Sequence, residues 1–368
     1  MEKTNVEIHG YSKEPIYEMH THMLYNRPVT DTVDAFKNIM RHFNFGKMHL
    51  ASIAMIDTTE NVKALYCKDR IDNLYASGSI NHHFDSRDTS DFFLSEIKKY
   101  HAMGCDSIKI LESKPSQHLR LYTPDLSHKV YEKFFNYAEE NQIPLIMHVG
   151  DPLEMWDLSK MSQYAIERGW YCGGEGRPSL EDLRKETENI LKKFPKLRLS
   201  LAHFFFMSDD IDRVAKMLDS YENLYFDLCI ENAQFANLTD RYNDAKKFFI
   251  KYSDRFMYGT DTYHFALDGM TEEQRYGHRI NQIRSFVEMD KEYIYTVEGT
   301  NRRVRTLALD KQYQDNIFRN NFIEFFGQNP RKIDREMVVA ECEKIIAERE
   351  LDELMRANVE TVKAHFSK

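Results

Sequence analysis

Short apolar runs alternate with longer stretches of helical spacing along most of the chain. Residues 16–20, 48–54, 74–80, 107–111, 145–148, 197–203, 224–228 and 255–259 read as strands, being compact apolar runs too short for helices. Helical periodicity covers 31–45, 59–73, 89–103, 126–141, 180–194, 209–221 and 240–252, and an eighth helix is expected at 314–326. Asp31, Thr89 and Ser179 stand at expected N-cap positions, where a short polar side chain accepts a hydrogen bond from a first-turn N–H. The strand runs are largely apolar rather than alternating, as in strands covered on both faces. Eight strands, each followed by a helix, predict an α/β fold of the (β/α)8 barrel class. A doubly wound open sheet fits less well, because no Gly-rich phosphate turn follows the first strand.

Two connections are long for such a barrel. Residues 151–178 follow strand five and carry both tryptophans, Trp156 and Trp170, while 261–310 follow strand eight and contain Arg302, Arg303 and Arg305. Both are expected over the mouth of the barrel, where substrate is selected. Residues 14–330 are read as the barrel. Residues 331–368 are read as a charged helical C-terminal extension, either a surface appendage or a homo-oligomer contact.

Composition narrows the function classes. A net charge of −9, spread along 368 residues, argues against nucleic acid or an anionic membrane as partner and leaves a small-molecule substrate. The five cysteines are far apart and form no CxxC pair, so free thiols in a reducing compartment are expected. The first ten residues lack the apolar stretch of a signal peptide and no run is long enough to span a membrane, which makes the cytoplasm the expected location.

Candidate chemistry gathers at strand ends. His20 and His22 lie two apart on strand one, so both imidazoles face the same way and can converge on one ion. His148 ends strand five, His203 ends strand six, and Gly259-Thr260-Asp261 ends strand eight. Any one of these could be an ordinary strand-end residue. Together they fall on the C-terminal rim, where barrel active sites lie. Scattered histidines would not choose one rim.

This set of motifs resembles the amidohydrolase superfamily, specifically its amidohydrolase-2 branch of metal-dependent barrels. The likeness covers roughly 17–327 and is closest over 245–261; Glu18 departs from it, since an Asp usually precedes the paired histidines. The resemblance implies His20, His22, His148 and Asp261 as ligands of one divalent metal ion, zinc first, with manganese, iron(II) or cobalt as alternatives. It implies Asp261 as proton acceptor from metal-activated water, and His203 beside the bound water or substrate. Some members bridge two metals with a carboxylated strand-four lysine; Lys109 is expected instead as an unmodified cation facing substrate. Arg177, Trp156, Tyr263 and His264 are further candidates for substrate contact, and the pair His82-His83 after strand three is another candidate for the site.

The activity implied is metal-dependent hydrolysis of a C–O or C–N bond in a small lactone, ester or amide. The alternative is a non-oxidative decarboxylase or hydratase, because the branch includes such lyases. A barrel reduced to binding or scaffolding is the third reading; it is disfavoured because every expected ligand position is filled.

Overall fold

The computed structural model describes residues 13–23, 27–82, 89–115, 125–262, 271–297 and 300–368. Its strands are β1 (Ile16–His22), β2 (Phe45–Ala51), β3 (Leu74–Ser79), β4 (Ser107–Ile110), β5 (Leu145–Met147), β6 (Leu199–Leu201), β7 (Leu224–Asp227) and β8 (Phe256–Met257). They pair in parallel in chain order as one eight-stranded sheet. Hydrogen bonds from Met19 N to Tyr258 O (3.0 Å), His22 N to Thr262 O (2.9 Å) and Asp261 N to His20 O (2.7 Å) join β8 back to β1. The fold is a (β/α)8 barrel with C-terminal helices. All eight expected strands are present, most of them shorter than the apolar runs that predicted them.

The helices are α1 (Val29–His42), α2 (Glu60–Arg70), α3 (Ser90–Met103), α4 (Glu132–Glu140), α5 (Gln163–Glu167), α6 (Leu180–Lys193), α7 (Ile211–Ser220), α8 (Asn232–Asp240), α9 (Tyr242–Lys251), α10 (Glu272–Glu288), α11 (Lys311–Asp315), α12 (Asn321–Phe326), α13 (Arg335–Glu348) and α14 (Glu353–Phe366). Thr89 and Ser179 cap α3 and α6 as expected, the latter in a reciprocal box with Asp182. Asp31 does not cap α1. The helix starts earlier, with Pro28 at the cap position and Asp31 in the first turn, and Val29 N donates to Asn358 Oδ1 at 2.8 Å. A side chain from the C-terminal tail thus satisfies the first of the helix's unpaired N–H groups.

The connection after β8 holds more structure than its sequence suggested. It contains α10 and an antiparallel hairpin of β9 (Glu292–Val297) and β10 (Thr300–Arg305). Arg302 pairs with Asp240 and Arg305 lies over the Tyr242 ring, so this arginine cluster fastens the hairpin to α8 and α9. The expected eighth helix comprises α11 and α12 joined by a π-helical turn at Asn316–Asn320.

The C-terminal segment folds as the hairpin α13–α14 against α2 and α3. Val338, Cys342 and Ile345 on α13, with Val359, Val362 and Phe366 on α14, are buried and continuous with the main core. Inside the barrel, Met19, Tyr75, Ile146, Tyr225 and Met257 pack with Phe322, Phe325 and Phe326 of α12 into an aromatic plug. Among the described residues no helix is long and apolar enough to cross a membrane. All five cysteines are free and buried.

Candidate active site

A β-bulge shapes the first strand of the site. The β1–β2 register gains an extra residue on β1 between Glu18 and Thr21. Met19 can therefore pack into the plug while the next residue, His20, also turns inward to Lys109 on β4 and Asp227 on β7. The glycine of β8 completes this close approach. A Cβ at Gly259 would stand 2.7 Å from Cys229 Sγ and 3.0 Å from His20 Cβ.

The four strand-end histidines meet. His20 Nε2 lies 3.2 Å from His22 Nε2, and His203 Nε2 lies 3.0 Å from His148 Nδ1. Asp261 Oδ1 is 3.0 Å from His22 Nε2 and 3.5 Å from His20 Nε2, with Oδ2 4.0 Å from His203 Nε2. Each ring has its other nitrogen on an acceptor: His20 Nδ1 on Asp227 Oδ2 (2.7 Å), His22 Nδ1 on Ala51 O (2.8 Å), His148 Nε2 on Gly150 O (2.9 Å) and His203 Nδ1 on Cys229 O (3.0 Å). A carbonyl or carboxylate oxygen can only accept, so the outward nitrogens of His20, His22 and His203 carry the protons and their inward nitrogens present lone pairs, whereas His148 Nε2 lies between Gly150 O and the Lys114 ammonium, a donor at 3.2 Å. Ligand atoms of His20, His203 and Asp261 all lie within 4.8 Å of one another, with His22 Nε2 on Asp261, His148 Nδ1 on His203, and Lys109 Nζ as a cation beside His20 Nε2. This donor set of nitrogen and carboxylate oxygen suits a divalent transition metal.

Burial disfavours the charged form of two of these imidazoles. Burial, helped by the Lys109 charge, lowers His20 to about 4. Burial and Lys114 likewise hold His148 well below the usual histidine range. Asp261 Oδ1 faces His22 Nε2 at 3.0 Å and, with the His22 proton directed outward to Ala51 O, receives no hydrogen bond from it. Burial also lowers Lys109 to about 8, and its Nζ stands 2.7 Å from His20 Nε2.

His203 is reached by costly backbone. The apolar run 197–203 stops being a strand at Leu201, and His203, Phe204, Phe205 and Phe206 all have left-handed φ of 58°, 53°, 55° and 47°. Non-glycine residues resist this conformation by roughly 1–2 kcal/mol each. Gln234 donates to His203 O at 2.9 Å and Arg184 donates to Phe206 O, which holds the turn.

Other candidates have different surroundings. Arg177 donates to Tyr171 O at 2.7 Å and Trp156 to Pro178 O at 3.0 Å, so both brace the loop 151–178. Tyr263, His264 and His83 lie outside the described residues. His82 faces Glu112 at 2.7 Å. Glu18 accepts from His20 N (2.8 Å) and Thr260 N (3.0 Å), tying β1 to β8, and burial raises it to about 8. Sequence reasoning passed over Asp227, although a carboxylate inside the apolar run Leu224-Tyr225-Phe226-Asp227-Leu228 was the available signal. It also passed over Lys114 and Asp151, paired at 2.6 Å beside His148.

The amidohydrolase family model matches residues 20–328. The chain belongs to that family. Among solved structures, this amidohydrolase resembles an uncharacterized TIM-barrel protein from Bordetella bronchiseptica at 12% identity and TM-score 0.52, covering 85% of this chain and 99% of that one. It also resembles 4-oxalomesaconate hydratase from Rhodopseudomonas palustris (12% identity, TM-score 0.51, 90% and 99% covered). The apo IDCase of Metarhizium anisopliae is similar to the same degree (13% identity, TM-score 0.51, 85% and 97% covered). These identities establish a shared fold. No curated protein matches.

Proposed function

We propose that this amidohydrolase is a metal-dependent hydrolase that adds water across a C–O or C–N bond of a small lactone, ester or amide. One observation carries the reading: Asp261 Oδ1 lies 3.0 Å from His22 Nε2 and 3.5 Å from His20 Nε2, with 28% of its side chain open to solvent. His20, His22, His148 and Asp261 are the proposed ligands of a single ion, zinc first. When bound, such an ion supplies Lewis-acid activation of water.

The chain's own groups do the rest. Asp261 is placed to take the proton of the attacking water and return it to the leaving group. His203, with its Nδ1 proton held by Cys229 O, offers Nε2 as an acceptor and donates to a developing oxyanion only after taking up a proton. Lys109 is the proposed cation nearest the reacting atoms. Arg177, Trp156, Tyr263 and His264 belong to the two long connections and are proposed as pocket walls. Residues 14–330 form the proposed catalytic unit, and the free thiols support a cytoplasmic location.

A panel of lactones, esters, amides and carboxylic acids, assayed with zinc, tests the reaction. Hydrolysis by the native chain, falling roughly 10²–10⁴-fold in Asp261→Asn, is the expected result. Release of CO₂ without ester, lactone or amide turnover would transfer the same site to the lyase reading.

A further inference from the structure

Three of the four rim histidines have their outward nitrogen on a backbone carbonyl: Ala51 O, Gly150 O and Cys229 O. His20 differs. Its Nδ1 meets a side chain, Asp227 Oδ2, at 2.7 Å, with both residues fully buried. The other carboxylate oxygen, Oδ1, accepts from His203 N at 2.7 Å and from Cys229 N at 3.2 Å. One carboxylate at the end of β7 therefore reaches the imidazole of β1 and the backbone of the left-handed turn after β6.

We infer that Asp227 is a positioning residue that fixes His20 as its Nδ1–H tautomer and fastens the turn presenting His203. The inference rests on the metal-site reading above, although its decisive measurement needs neither metal nor substrate. Lys109 Nζ, 2.7 Å from His20 Nε2, is a donor on the inward side and is compatible with this tautomer alone. A carboxylate cannot donate, so it leaves Nε2 as a lone pair aimed at the cation position. A carboxamide can donate. In Asp227→Asn, the amide keeps an oxygen for the His203 and Cys229 N–H groups and turns its NH₂ toward His20 Nδ1. The imidazole proton then moves to Nε2 and covers the atom that the metal needs. Such outer partners of metal-binding histidines set ring orientation and basicity.

The experiment uses the full chain, stripped of metal by a chelator and labelled with ¹⁵N in histidine only. His20 is assigned by the resonance lost in His20→Gln. Long-range ¹H–¹⁵N correlation is expected to show His20 protonated at Nδ1 in the native chain and in Asp227→Glu, and at Nε2 in Asp227→Asn. Zinc affinity by calorimetry is expected to fall about 10- to 100-fold in Asp227→Asn. A native His20 protonated at Nε2 overturns the inference even if the Asn variant does not fold. So does an Asn variant that keeps the Nδ1–H tautomer or the native zinc affinity. Failure of every hydrolase substrate leaves the tautomer result untouched, so the two readings fail separately.

Discussion

The two ends of the barrel are built from the same strands and obey opposite rules. At one end Met19, Tyr75, Tyr225 and Met257 meet Phe322, Phe325 and Phe326 in an aromatic plug, with Phe322 edge-on to Tyr75 at 5.0 Å. His49 belongs to this end. It bonds Met19 O and Ser107 Oγ and stacks on Phe326 at 4.5 Å. At the other end His20, His22, Lys109, His148, His203 and Asp261 are brought together. The plug is satisfied by what the chain contains. On the proposed reading, the rim is completed by a bound cation.

Substitutions at each end should therefore have effects that do not cross over. The largest is expected from His148→Ala, which removes an inward ligand atom. Elemental analysis should find stoichiometric metal and turnover lost together, with the thermal unfolding transition still present. Retention of native metal content would break the contrast between the ends. Phe322→Ala should do the reverse, costing about 3–5 kcal/mol of unfolding free energy while the surviving folded protein still binds one zinc. Loss of zinc at a denaturant-free temperature where the variant is folded would show that the ends are coupled.

The smallest effect concerns a buried carboxyl. Glu186 on α6 accepts from the backbone N–H groups of Leu126 and Ser127, the latter at 3.0 Å. Burial raises Glu186 from 4.5 to about 7. A folded-state value above the unfolded one means stability fully present below about 4.5 and lost as pH rises through about 7. Glu186→Gln should remove that loss, worth at most about 3 kcal/mol. Denaturant titrations of both proteins from pH 4 to 8 check it, and parallel pH curves would reject the assignment.

The barrel was legible because its signal is repeated: eight apolar runs of the right length, spaced by helical stripes. The tail was harder to place, since α13 and α14 each bury one narrow stripe, 338/342/345 and 359/362/366, among many charges. The four histidines and Asp261 could be found because each terminates a strand. Asp227 was hidden by the neighbours that made its strand visible. The left-handed turn His203–Phe206 has no glycine to announce it, and is recognised only through Gln234, Arg184 and Asp227, all distant in sequence. Asp31 is no cap because the helix begins at Val29, after Pro28, which places Asp31 inside the first turn.

The bulge in β1 makes the length of that strand a shared property of both ends. Deleting Met19 or His20 would remove the extra residue and leave one inward position where two are now filled. Either the methionine would be missing from the hydrophobic filling or the imidazole from the rim. Insertions and deletions that the 151–178 segment could absorb are thus barred from a stretch of four residues. There the reading frame of the fold and that of the chemistry are the same.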